Sequence, residues 1–295
     1  MAKARIIIKR RKAVRNIKKI TKVMQMIATS RYQKAFKRAI GAKPYVQKIA
    51  KLLGSVVQAL EAGERKVEHP LLRASKSGEK KTAVLVLSSN RGLAGGYNGN
   101  VLRRASHTLE VLEADGDTPE LHVSGKKGIA YFRFQKRPMK KSYTTVGDNP
   151  TFAEVEDIAE GFMHAYMNGE ITALKIVYMQ FISPGQQRPV AMDVLPLSNL
   201  AEKAKKEKTT TTFEFLPNVE SLLEELIPKA VKISVFQAFM ESAVSEQIAR
   251  MVAMKAATDN AEKMGKKLTQ DYNRARQSQI TSELSELMGG VEAMK

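Results

Sequence analysis

The eleven residues Ser88-Ser89-Asn90-Arg91-Gly92-Leu93-Ala94-Gly95-Gly96-Tyr97-Asn98 are the densest group in the sequence with a potential for chemistry. They follow an apolar run, Ala83–Ser88, and precede a helical pattern from Tyr97 to Glu113. A glycine-rich turn between a strand and a helix can offer backbone amides to a phosphate. The spacing, however, is neither GxGxxG nor GxxxxGK[ST], and no Lys-Ser/Thr pair follows, so a structural turn is the better reading. The four histidines, His69, His107, His122 and His164, are scattered without metal-ligand spacing to carboxylates. No serine sits in a nucleophile motif. The absence of cysteine removes disulfides and thiolate ligands. No catalytic, cofactor-binding or metal-binding residue is therefore expected, and no cofactor.

Two other segments have a composition suited to contact. Between Lys22 and Arg31 a densely charged helix carries no charge for eight residues. Such a stretch suits tight contact with a partner helix, and equally a smooth collar inside another protein. Near the C-terminus, Tyr272–Thr281 (YNRARQSQIT) has a polar face on which Arg276, Gln277 and Thr281 can form directional hydrogen bonds. Spacing alone favours an ordinary solvated face there.

The charge distribution says more than the motifs. The formal net charge is +19, yet residues 1–60 hold 17 Lys or Arg and no acid, the first being Glu61. The remaining residues hold 32 bases and 30 acids. A basic stripe of this kind seeks phosphate, anionic lipid or an acidic protein surface. No apolar run is long enough to cross a bilayer, and Ile6–Ile8 is too short for a secretory signal. The expectation is a soluble protein kept in the bacterial cytoplasm.

The elements that carry these residues fall into four stretches: an N-terminal helix (1–60), a linker (61–81), a central α/β domain (82–217) and a C-terminal helix (218–295). In the first, Val14, Ile17, Ile20, Met24, Ile27, Ala35 and Ala39 recur in helical steps, with a kink or break expected at Gly41 and Pro44. In the third, strands are expected at 83–88, 120–124, 142–146, 173–182, 188–197 and 213–216, and helices at 97–113 and 152–167. The last opens on Pro217 with Asn218 as its N-cap. Its apolar stripe runs from Ile233 to Val291 with a mean step of about 3.6, and at about 1.5 Å per residue it reaches well over ~80 Å. Two long terminal helices around a folded domain point to an antiparallel coiled coil. The C-terminal helix, with 11 acids and 10 bases, cannot neutralise its partner. The compensating acid must come from another molecule.

At these residues the sequence resembles the gamma subunit of bacterial F-type (F1Fo) ATP synthases. ITKVMQMIATSRYQKA is similar to the family's N-terminal signature, and KPYVQKI, HPLL and SSNRGLAGGYNGNV follow in the family's order. ESAVSEQIARMVAMKAATDNAEKM and then YNRARQSQITSELSELMGG resemble its C-terminal signature. The resemblance spans the whole chain. It implies an α/β fold class: a long antiparallel coiled coil plus a central Rossmann-like domain. It also implies a non-catalytic role as the central rotor stalk. Torque passes from an ion-driven membrane ring of c subunits to catalytic beta subunits, or in reverse during ATP-driven ion pumping. The implied partners are three alpha and three beta subunits with delta, epsilon and the ring, peripheral to the cytoplasmic face of the bacterial inner membrane.

By position, the resemblance places Met24 in the collar passing the beta subunits' acidic lever, and makes Arg250, Arg276, Gln277 and Thr281 contacts facing beta. It places Phe213 and Leu216 towards the ring. Basic charge at Lys18, Lys19, Lys22 and Arg31 would attract acidic levers without a fixed hydrogen-bond register, which suits a sliding contact. A nucleic-acid-binding coiled coil is the competing reading, but the first 60 residues hold only Tyr32, Phe36 and Tyr45 as aromatics and no recognition motif. A nucleotide-dependent enzyme built on the central domain is the third.

Overall fold

The computed structural model describes residues 2–62, 70–71, 80–197, 219–292 and 294. The order is α1 (Ala2–Ala62), β1 (Thr82–Leu87), α2 (Tyr97–Ala114), β2 (Glu120–Ser124) and α3 (Lys126–Phe134). Then come β3 (Lys141–Tyr143), α4 (Phe152–Met167), β4 (Ala173–Ser183), β5 (Gln186–Leu195) and α5 (Val219–Glu292). By contacts the chain divides into two compact units, residues 31–249 and residues 1–30 with 250–295. α1 and α5 each contribute to both.

The larger unit is built on a five-stranded sheet of order β3-β2-β1-β4-β5, parallel except for β5, which returns antiparallel to β4. All six residues of β1 are buried because helices cover both faces of the sheet, which is why the run TAVLVL carries no polar alternation. On one face lie α2 and α3, through Val101, Leu109, Ile129 and Phe132. On the other lie α4, through Val155, Ala159 and Phe162, and the Ile227–Phe239 stretch of α5. α4 starts on a capping box: the Glu154 amide donates to the Thr151 hydroxyl, and the Glu154 carboxylate accepts from the Thr151 amide at 2.9 Å. That exchange holds the Glu154 carboxyl below its ordinary range.

The strands and helices expected between 83 and 197 are present with ends shifted by a few residues. β3 is the exception, ending at Tyr143 rather than 146. α3 is an additional element. α1 runs unbroken through Gly41 and Pro44, because a helix interior that loses one hydrogen bond can be held by the turns on either side. The strand expected at 213–216 and the cap at Asn218 lie outside the described residues.

The smaller unit is a two-helix seam. From α1 it takes Ile7, Arg11, Val14, Lys18, Thr21, Gln25 and Ala28, alternating steps of four and three. From α5 it takes Met254, Thr258, Ala261, Gly265, Leu268, Tyr272, Ala275 and Gln279 with the same rhythm. A 3.5-residue repeat is that of a left-handed coiled coil.

Candidate functional site

The seam is narrow because, Met254 apart, its deepest positions are small or polar. In this unit Val14, Thr21 and Ala28 are the buried residues of α1, and Met254, Thr258 and Ala261 those of α5. The Thr258 hydroxyl donates to the Thr21 hydroxyl across 2.8 Å, and Thr21 in turn donates to the Ile17 carbonyl at 3.0 Å; the Met254 carbonyl, 2.8 Å from the Thr258 hydroxyl, is the alternative acceptor for its one proton. One turn further along, Lys18 Nζ meets a Glu262 carboxylate oxygen at 2.9 Å and holds that carboxyl below its usual range. A Cβ built on Gly265 would lie 4.0 Å from the Val14 side chain. The Arg11 guanidinium sits 5.1 Å from the Tyr272 ring centre. Partners climb on α5 as they descend on α1, so the pair is antiparallel.

The large aliphatic residues of this stretch therefore point outward. Ile20 is 59% exposed and Met26 56%, with Ile17, Val23 and Ile27 also exposed. The sequence expectation counted Ile17, Ile20 and Ile27 into the inner stripe. The structure gives those places to Thr21 and Ala28, because two helices alone can bury only a seam of two positions in seven. The uncharged stretch between Lys22 and Arg31 divides accordingly: Ala28 faces the partner helix, whereas Val23, Met26 and Ile27 form a bare apolar band. On the turns before it lie the exposed bases Lys9, Arg10, Lys12, Arg15, Lys19 and Lys22.

The seam ends at Gln279. Beyond it Ile280, Leu284, Leu287 (68% exposed), Met288 and Val291 carry the apolar pattern onward with nothing over them among the described residues. The continuous burial of the α5 stripe expected from its periodicity thus stops where α1 begins. Contiguous apolar surface of this kind marks an interaction site.

The individually named residues fall in different environments. Met24 is half-buried beside the seam. Arg250 is buried, at 6% exposure. Arg276, Gln277 and Thr281 are exposed together on α5, and the Thr281 hydroxyl donates to the Gln277 carbonyl at 3.0 Å. Phe213 and Leu216 lie outside the described residues. Of the bases named as a sliding surface, Lys18 is engaged by Glu262, and Arg31 by Asp148 at 2.5 Å, so Lys19 and Lys22 are the outward pair. The seam residues Thr21, Thr258 and Gly265 carry no hydrophobic signal; the seven-residue spacing of Val14, Thr21, Ala28 and Ala35 marks the first, and that of Thr258, Gly265, Tyr272 and Gln279 the other two.

The glycine-rich turn of the larger unit is closed on itself. The Ser89 amide donates to Asn98 Oδ1 at 3.1 Å, the Lys126 amide to Asn90 Oδ1 at 3.2 Å, and the Gly128 amide to Ser88 Oγ at 2.8 Å. Gly125 has φ 99°, and a Cβ there would lie 2.1 Å from the Ser88 carbonyl oxygen. These glycines let the β1 and β2 loops touch. The amides of Ser89, Lys126 and Gly128 are thus taken up by the chain's own oxygens. Below them a pocket of about 30 Å³ is bounded by Ser88, Ser124, Phe239, Ser242 and Glu246, so α5 occupies the crevice at the carboxyl ends of the strands.

His122 in β2 is buried, its ring 4.8 Å from that of Phe162, and burial pulls its pKa down to about 4. Among the described residues no group of His, Cys, Asp or Glu is placed to hold a metal, and no helix is long and apolar enough to cross a membrane.

Comparison with known proteins agrees with this architecture. The family model described as ATP synthase matches residues 3–294. The ATP synthase gamma chain of Rhodopirellula baltica is 43% identical over 300 residues, covering 100% of both chains. That of Leptospira biflexa is 38% identical over 294 residues, again covering 100% of both. Among solved structures, a chain of the Euglena gracilis mitochondrial ATP synthase OSCP/F1/c-ring assembly has TM-score 0.66 at 16% identity, over 99% of this chain and 95% of that one. A chain of the Tetrahymena thermophila mitochondrial ATP synthase central stalk and c-ring has TM-score 0.58 at 21% identity, over 81% of this chain and 99% of that one. At those identities the two structures speak for the fold, and the family follows from the sequence matches over the full length: the chain belongs to the ATP synthase gamma chain family.

Proposed function

We propose that this chain is the central rotor stalk of a bacterial F-type ATP synthase, passing torque from an ion-driven c ring to catalytic beta subunits. The observation that carries this reading is the inversion of the helical pair. Small residues fill the seam, while large aliphatic residues and unneutralised bases cover the rim. A free-standing coiled coil gains nothing from that arrangement. A shaft running inside a sleeve needs it, since a smooth apolar band slides and basic charge attracts acidic levers without a fixed partner.

In this role the chain supplies no reacting group. Its two-helix cross-section is not round, so turning it presents different faces to each surrounding subunit. A subunit with two conformations shifts towards whichever one that face contacts better. Met24, Arg276, Gln277 and Thr281 are the proposed contacts towards beta, and Phe213 and Leu216 those towards the ring; Arg250, buried within the chain, is left out of the set. Alpha, beta, epsilon and c are the proposed partners, at the cytoplasmic face of the plasma membrane.

The test is recovery of a tagged chain from membranes. Alpha, beta and epsilon recovered in stoichiometric amounts support the reading; nucleic acid recovered in their place overturns it.

A further inference from the structure

A shaft is only as good as the joint that fastens it to its foot. In the larger unit α5 lies against the sheet through an apolar surface including Ile227, Val231, Val235, Ala238 and Phe239. Apolar contact is non-directional and resists pulling better than twisting. Resistance to twist needs directional bonds placed off the helix axis on more than one side.

The structure supplies such a set along α5. Lys232 Nζ reaches two carboxylates of α4, Glu156 at 2.7 Å and Glu160 at 2.5 Å, which sit one turn apart. Glu241 accepts from the Phe181 amide of β4 at 3.3 Å. The Ser242 hydroxyl lies 2.6 Å from the Tyr97 hydroxyl at the start of α2, and Ser245 donates to the Met179 carbonyl of β4 at 3.2 Å. Ser242, Ser245 and Tyr97 are all buried. At about 100° per residue, Glu241 lies about 180° around the helix from Lys232, with Ser242 and Ser245 between about 220° and 280°. The set spans roughly 20 Å of helix at about 1.5 Å per residue. Bonds on opposite sides of an axis form a couple, the arrangement that opposes rotation.

We infer that Lys232, clamped by Glu156 and Glu160, acts with Glu241, Ser242 and Ser245 as a keyed joint that stops α5 turning within the α/β unit. Lys232 is the key that can be tested without opening the core, because its two carboxylate partners lie at the surface, 34% and 45% exposed. These are positioning residues, and the inference rests on the rotor reading.

The test uses Lys232→Met, which keeps the apolar stem and removes the charge, and Lys232→Arg, which restores it. The chain has no cysteine, so Glu110→Cys on α2 and Glu224→Cys on α5, both exposed, give a unique pair of spin-label sites. In the full chain, Lys232→Met should raise the displaced fraction of the inter-label distance distribution by roughly threefold, and Lys232→Arg should return it. In the assembled complex, with a rotation probe on Glu110→Cys, Lys232→Met should lower torsional stiffness at unchanged ATP hydrolysis. A distance distribution identical to the parent's, or unchanged stiffness despite loosening, overturns the keyed joint. A parent chain that never rotates within a complex overturns the rotor reading instead.

Discussion

The hydroxyls of Thr21 and Thr258 stand 2.8 Å apart at the centre of the two-helix seam, in a place where coiled coils usually put leucine. Thr21 donates to its own helix while accepting from Thr258, and without Thr21 the one Thr258 proton still has the Met254 carbonyl to turn to. Thr21→Val should therefore cost only about 1 kcal/mol in urea unfolding. In a double-mutant cycle with Thr258→Val the coupling should be about 0.5–1 kcal/mol. A coupling indistinguishable from zero would mean that the hydroxyls do not bond in solution.

Gly265 lies opposite Val14 with room for a methyl group at ordinary contact distance. Replacing it with alanine removes the backbone freedom that glycine keeps in the unfolded chain. Gly265→Ala should raise stability by about 0.5–1 kcal/mol. Calorimetry on the full chain reads this directly, and destabilisation would show that the helices approach more closely there than described.

The apolar band should be expendable for folding and necessary for assembly. Ile20→Ser, Val23→Ser, Met26→Ser and Ile27→Ser each replace an exposed residue, so each should change unfolding free energy by no more than about 0.5 kcal/mol. Combined, they should sharply reduce co-purification with alpha and beta subunits. Intact recovery of the complex by the quadruple variant would remove the sleeve from the argument.

Charge on the rim should act on rates. Arg15→Gln, Lys19→Gln and Lys22→Gln leave the Lys18–Glu262 and Arg31–Asp148 pairs in place. Association with the partner subunits should slow at low salt and show a shallower ionic-strength dependence, while dissociation changes little. Stopped-flow mixing across a salt series separates the two.

His122 makes the larger unit sensitive to acid. Its folded pKa, near 4, lies below the 6.5 of the free side chain, so in the acid range the unfolded chain takes the proton first. Its contribution is complete above about pH 6.5 and is lost as pH falls towards 4, amounting to about 3 kcal/mol. Unfolding free energy followed across that window should flatten in His122→Phe.

What could be seen beforehand follows the physics of each element. β1 was legible because a strand covered on both faces is written as an unbroken apolar run, and α4 because its amphipathic stripe is wide. α3 escaped notice because nine residues with a glycine third in line carry too little period to declare a helix. The seam escaped in a more instructive way. Hydrophobicity identifies what leaves water on folding, but Ile20 and Met26 stay wet in the isolated chain, and the inward places belong to threonine, alanine and glycine. The missing signal was spacing: residues exactly one heptad apart mark a seam even when none of them is strongly apolar. The segment holding Phe213 and Leu216 lies outside the described residues, so those two assignments still rest on the resemblance alone.

The small residues of the seam also bear on how the shaft stores energy. With glycine, alanine and threonine at the interface, the two axes can approach towards the lower end of the range for packed helices, about 8 Å. The torsional rigidity of a rod rises steeply with its radius, so a slender pair twists where a thick one would not. The same choice of residues that clears the rim for sliding makes this part of the chain a spring.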